Sequence, residues 1–366
     1  MNTRMSSRER VRAAFEHREP DRVPCWCGAS TEFLAKATAS MGLDEEAFRL
    51  RIGDDFRRVS APWVDQGPPL AAGSTGRSPF GVERHGIGYG QAINHPLAPF
   101  VTDGVDETDR LRAFKDWSWP DPADVDISGL RAQARAWGGK FAVLGGDWSP
   151  FFHDAIDLVG MEGLYYLMYD DPEAANFLIG KVMDFYIGSS ERIFEEAADL
   201  IDIFFIGNDF GSTTGPLFGP EIYERFFSPS IQRLTQLGHA RGLKVMLHCC
   251  GGYRPLMPLL IRDGLDGFHA LQPNCAGMDP ATLKRELGGQ ILLNGAIDTQ
   301  NALLEGDPDI ARTETLRTLA IMAPGGGYVA GPSHDWLLEE TPLDNVLALY
   351  DAVAEWNDDP GNSKHA

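Results

Sequence analysis

The chain of 366 residues carries 32 Lys and Arg against 53 Asp and Glu, a formal net charge of −21, and is 43% apolar. Such an acidic chain repels phosphate backbones and anionic lipid, which excludes nucleic acid and polybasic membrane anchoring and leaves small molecules and proteins as partners. Five cysteines make no disulfide framework, the opening 24 residues hold no apolar signal core, and no run approaches the roughly 18 to 20 apolar residues of a membrane span, so a cytoplasmic protein is expected.

In chain order, residues 6–17 read as a helical arm ending at Arg-Glu-Pro-Asp-Arg, and 23–27 as a short apolar strand. A weaker strand pattern covers 56–63. Residues 65–125 are irregular and read as an insertion or substrate loops. Within them, GVERHGIGYGQAINH from Gly81 alternates between turn glycines as an antiparallel ribbon does. Beyond residue 140 the pattern becomes regular. Apolar runs of strand length occur at 141–146, 201–207, 243–251, 265–273, 290–297 and 327–332. Between them lie helix starts of one kind, a polar cap followed by proline: Asp171-Pro172, Ser228-Pro229, Asp279-Pro280, Asp307-Pro308 and Thr341-Pro342. Gly242 and Gly288 stand where helices stop. Eight strand–helix units predict a mixed α/β fold, a closed (β/α)8 TIM barrel built by residues 1–366 as one domain. An open doubly wound sheet is the alternative, but no GxGxxG follows the first strand.

Barrel enzymes carry their reactive groups at the C-terminal ends of strands. Here those ends offer Cys27, Asp147, Asn208, Asp209, His248, Cys250, Gln272, Asn274, Asp298 and His334. In Leu247-His248-Cys249-Cys250-Gly251, side-chain alternation puts His248 and Cys250 on one face and Cys249 on the other. An imidazole and a thiol side by side suit Zn²⁺, which in catalytic sites keeps a position open. A third ligand must then come from another strand end: His334 first, with Cys275 and Cys27 in reserve. The alternative is a hydrogen-bonded pocket histidine beside a small buried side chain. Asp209 reads as a general acid/base or a partner behind the metal, or as an Asp bonding turn amides; Asp298 and Asp147 are placed likewise. Asp54-Asp55 reads as surface. Trp26, Trp148, Phe151, Phe152 and Trp336 could wall a pocket or fill the core.

RERVRAAFEHREPDRVP at the start, GNDFGSTTGPLFGPEIYERFFSP in the middle, LHCCG, and the stretch from LQPNCAGMDP to GGGYVAGPSHDWLLEETPLDNVLALYDA together resemble the uroporphyrinogen decarboxylase superfamily. They are most similar to its corrinoid-dependent methyltransferase branch, and the resemblance spans nearly the whole chain in order. It implies a (β/α)8 barrel and an H-x-C plus a distant Cys holding Zn²⁺. That zinc binds a thiol substrate as thiolate, which takes a methyl group from a separate methyl-corrinoid protein; apart from the resemblance, tetrahydrofolate is the alternative partner to the corrinoid. His248 and Cys250 fall on the H-x-C, whereas His334 occupies the distant Cys position upstream of Thr341-Pro342. The resemblance also makes a homodimer plausible. The decarboxylase branch implies a metal-free site with arginines after the first strand, an Asp and a Tyr. Here Cys27-Gly28-Ala29-Ser30 brings no arginine, WSPFFHD no tyrosine, and Asp55 alone could stand for the Asp. The expected activity is therefore zinc-dependent methyl transfer from a small methoxy, amine or thiol compound, with metal-free decarboxylation as the alternative.

Overall fold

The computed structural model describes residues 4–86, 90–102, 104–359 and 361–362. Seven parallel strands form one curled sheet in the order Phe56–Arg58, Ala142–Gly145, Ile203–Gly207, Lys244–His248, Gly267–Leu271, Leu292–Ile297 and Tyr328–Pro332. Their near-continuous apolar sequences follow from burial on both faces, helices outside and packed side chains within.

The expected eighth strand at 23–27 is reduced to a seam. Cys25 bridges in parallel to Asp54 on one side and Ala330 on the other. Asp55 N–H donates to the Cys25 carbonyl (3.0 Å), Trp26 N–H to the Ala330 carbonyl (2.9 Å) and Ala330 N–H to the Pro24 carbonyl (2.9 Å). The ring thus closes, but Pro24 has no N–H to extend the ladder, which is why a strand does not form there. The weak run at 56–63 likewise keeps only three residues as strand, Phe56–Arg58.

Side chains of alternate residues fill the barrel interior: Phe56, Leu144, Ile203, Phe205, Met246, Leu292 and Val329, with Trp26 among them. Val11, Ala14 and Phe15 of the N-terminal helix Ser7–Phe15 belong to the same cluster. That helix plugs the end of the barrel where the strands begin, and Ser6 and Glu9 close its start with a capping box. The functional mouth is left at the opposite end.

Capping signals held at three of the five sites. Asp171, Asp279 and Asp307 each accept an amide hydrogen bond at the head of a helix whose first turn contains proline. Ser228 is not a cap: the helix Ser228–Ala240 runs on from Pro220–Ile222 through a π-helical turn, Tyr223–Phe227. The widened turn tolerates the N–H that Pro229 lacks. At the last helix, Leu343–Asp358, Pro342 itself takes the cap position in place of Thr341.

The expected ribbon is a three-stranded antiparallel sheet, Gly76–Arg77, Glu83–His85 and Gln91–Ala92; residues 87–89 of that stretch lie outside the described residues. Among the described residues, no helix is long and apolar enough to cross a membrane. Asp54 and Asp55, read as surface, are both buried. Asp55 sits at the start of its strand, at the plugged end, where Oδ1 accepts from Arg10 Nη1 and Arg22 Nη2 (2.7 Å each) and Oδ2 from the Cys25 N–H (2.9 Å). Two cations and an amide fix it as a tie between arm, seam and first strand.

Candidate functional site

Strand register decides which side chains meet at the open mouth. Gly207 pairs with His248, and His248 with His269. Alternation continues the inward face of each strand past its end: Phe205, Gly207, Asp209 on one, Met246, His248, Cys250 on the next, Gly267, His269 on the third.

The outcome is a set of convergent polar atoms on an apolar floor. His248 Nε2 lies 3.3 Å from Cys250 Sγ and 3.6 Å from Asp209 Oδ1. The Cys250 N–H donates to Asp209 Oδ1 at 2.6 Å, and His153 Nε2 faces Asp209 Oδ2 at 3.5 Å. Cys249 points the other way, as alternation requires, and its sulfur accepts the Phe210 N–H in the surrounding core. On the far side of His248, its Nδ1 lies 3.1 Å from His269 Nδ1, and His269 Nε2 faces Asp335 Oδ1 at 4.0 Å.

Two triads of ligand atoms, each mutually within 4.8 Å, occur among the described residues: Asp209, His248 and Cys250, and His248, His269 and Asp335. The first opens into a cavity of about 680 Å³, whose walls include Trp148, Phe205, Trp336, Arg58, Glu339 and His334. The second is entirely buried.

Electrostatics divides the site. Burial works against the charge on Asp209, but the imidazoles of His153 and His248 and the Cys250 amide outweigh it and hold its carboxyl well below the usual range. Burial, reinforced by the Asp209 charge, pushes the Cys250 thiol well up, and burial pulls His248 down despite Asp209. Burial thus disfavours charge on the His248 ring and the Cys250 thiol beside the Asp209 carboxyl. A nitrogen, a sulfur and an oxygen donor around one point, with cavity on the remaining side, fit a three-ligand zinc centre with an open position. A divalent cation there would draw the proton from Cys250.

The residues expected as third ligand are placed elsewhere. His334 lines the cavity with its ring edge-on to His248, centroids 6.4 Å apart, and its Nδ1 accepts the Trp336 N–H at 3.1 Å. It joins neither triad. The Cys275 thiol donates to Gln272 Oε1 in a neighbouring cavity of about 400 Å³. Cys27 is buried away from both triads, its thiol pushed up to about 12 by burial. Asp298 caps the turn Thr299–Leu304, accepting from the amides of Gln300 and Asn301, and borders the smaller cavity only. Asp147 accepts from Ser189 Oγ and the Ser149 amide. Asp55, placed at the plugged end, reaches no part of the mouth.

Of the aromatics, Trp148 and Trp336 wall the cavity, Phe151 and Phe152 are core, and Trp26 packs against His269 inside the barrel (centroids 4.7 Å). His269, Arg58 and Asp335 were missed as site residues. The alternation applied to His248 also puts His269 inward, so that signal was present in GFHAL; Arg58 and Asp335 are brought in by loop and strand geometry that no local pattern reports. Gly207 keeps Trp148 in place, because a Cβ there would stand 2.0 Å from Trp148 Cζ2. Gly207→Ala is expected to cost about 1–3 kcal/mol as overpacking and to displace the indole, seen as a lowered urea midpoint and a shifted tryptophan emission.

A parallel (β/α) barrel with ligand-type side chains gathered at the C-terminal mouth defines a barrel of the enzyme type. Residues 97–356 match the family model described as uroporphyrinogen decarboxylase (URO-D), and the chain belongs to that family. It is similar to the methylcobamide:CoM methyltransferase MtbA of Methanosarcina acetivorans, 19% identical over 339 residues that cover 90% of this chain and 94% of the relative. Among solved structures it resembles a methyltransferase from Methanosarcina mazei with a TM-score of 0.68 at 18% identity, covering 96% of this chain and 99% of the other. That likeness shows a shared fold.

Proposed function

We propose that the chain is a zinc-dependent methyltransferase that moves a methyl group between a small methylated compound (methoxy, amine or thiol) and a corrinoid protein or a folate. The observation that carries this reading is the meeting of His248 Nε2, Cys250 Sγ and an Asp209 carboxylate oxygen at the floor of the main cavity. The similarity to MtbA, whose name gives a methylcobamide and a thiol cofactor as reactants, supports it.

In this reading His248, Cys250 and Asp209 hold the metal, with Asp209 in the place expected of His334. Bound zinc supplies Lewis acidity, which keeps a thiol as thiolate at neutral pH. The chain's own groups do the rest. Asp209, fixed by the Cys250 amide, carries the negative charge that a divalent cation requires. Trp148, Phe205 and Trp336 exclude water from the reacting sulfur. Where a thiol is the acceptor, its proton leaves to solvent, and methyl transfer forms a carbon–sulfur bond as the bond to the methyl donor breaks, the electron pair of that bond staying with the donor. Cys250, His334 and Trp336 also line the adjoining cavity, so two reactants have separate approaches to one centre.

Charge favours this over porphyrinogen decarboxylation. Arg58 is the single Lys or Arg among the described residues lining the main cavity, against Glu32, Asp209, Asp335, Glu339 and Glu340. A substrate bearing many carboxylates finds too few cations there. Mass-spectrometric metal analysis of natively purified protein is expected to give close to one zinc per chain. Less than about a tenth of an equivalent of zinc, cobalt or nickel, with no uptake on adding metal, overturns the assignment.

A further inference from the structure

Behind the metal-binding edge of His248 stands a second histidine that the methyl-transfer reading does not use. His269 is fully buried, its ring held between Trp26 and Phe205 with centroids at 4.7 and 5.3 Å. Its Nδ1 meets His248 Nδ1 at 3.1 Å, because the two residues are register partners on adjacent strands. Its Nε2 is a buried polar atom with no hydrogen-bond partner, aimed at Asp335 Oδ1 4.0 Å away. Asp335 is held in turn by Trp336 Nε1 at 3.0 Å and Arg58 at 3.5 Å.

Two ring nitrogens facing each other at hydrogen-bond distance share one proton, and which ring carries it fixes both tautomers. If His269 carried it on Nδ1, His248 would be protonated on Nε2 and closed to a metal. The carboxylate of Asp335 favours the other arrangement, with the His269 proton on Nε2. His269 Nδ1 is then an acceptor, His248 donates from Nδ1, and the His248 Nε2 lone pair is left pointing at Cys250 and Asp209. We infer that His269, oriented by Asp335, is a positioning residue that sets the tautomer of His248 and so prepares its Nε2 for a metal ion. This rests on the zinc reading above, and partners behind metal-bound histidines typically contribute about 10- to 100-fold in metal affinity.

The test is the affinity of the full-length protein for Zn²⁺ and Co²⁺ alone, by competition with a chromophoric chelator, together with the absorption spectrum of the Co²⁺ form. Wild-type protein is expected to show a thiolate-to-cobalt charge-transfer band. His269→Leu should bind about 10- to 100-fold more weakly with that band retained, since Cys250 still ligates. His269→Asn, whose side-chain oxygen can take the place of the Nδ1 lone pair, should recover most of the loss. If His269→Leu does not fold, Asp335→Asn, of unchanged size, should weaken binding in the same direction.

Wild-type protein that binds neither ion overturns the metal centre and the relay together. Wild-type binding with unchanged affinity in the His269 or Asp335 variants overturns the relay and leaves the centre standing. A wild-type Co²⁺ spectrum without the thiolate band puts the ion between His248, His269 and Asp335 and overturns the relay by making His269 a ligand.

Discussion

Cys250→Ala protein is expected to fold, to lose its zinc, and to transfer methyl groups at a rate reduced on the order of a thousandfold or more. Cys250 touches little beyond His248 and the Asp209 side of the cavity, so removing its sulfur disturbs packing little. The chemistry loses the thiolate donor of the set, and metal activation is worth several kcal/mol of transition-state stabilisation, each 1.4 kcal/mol being about tenfold in rate. The measurement pairs zinc content with a methyl-transfer assay on the same preparation. A His248→Ala, Cys250→Ala double variant that keeps substantial activity would sink the zinc reading and restore the metal-free alternative.

Asp55→Ala should produce the opposite separation, a large loss of stability with little change at the mouth. The carboxylate is fully buried between Arg10 and Arg22 and accepts the Cys25 amide. Its removal leaves the Arg10 guanidinium buried opposite no charge but Asp21 and frees a seam amide. Breaking a buried pair from one side typically costs about 3–5 kcal/mol, so a clear drop in the denaturant midpoint is expected. Zinc bound per folded chain should stay as in the wild type. A stable Asp55→Ala protein without activity would instead support the role in decarboxylation that the sequence left open for this residue.

These two residues also mark what could be read from the sequence. The barrel was legible because apolar runs and Asp-Pro helix starts recur with local signals, and the adjacency of His248 and Cys250 followed from alternation alone. Asp209 was recognised as a site residue, yet its closeness to that pair comes from the register of two strands, which no single segment encodes. His334 is expected as third ligand from its place at the end of the last strand, which the resemblance then matches to the distant Cys; its backbone bends so that the ring nitrogen binds the Trp336 amide and the imidazole stands off. Asp55 could not be separated from a catalytic Asp by residue type, because burial under an arginine of a distant helix is a tertiary fact. The eighth strand failed for a reason visible in the sequence, the proline at position 24, whose missing N–H limits the seam to bridges.

That seam has a kinetic consequence. Trp26 is fixed by Ala330 and by the hydroxyl of Tyr350, which lies 324 positions further along the chain. Ring closure therefore waits for the last strand, Tyr328–Pro332, and its tie to Tyr350 for the last helix. Until then the growing sheet has two open edges, at Phe56–Arg58 and at whichever strand was formed last, and unpaired edges invite pairing with other chains. Contacts this remote in sequence also make closure slow. The chain's strong negative charge then takes on a second meaning: copies that repel one another are protected from edge-to-edge association during the interval before the barrel shuts.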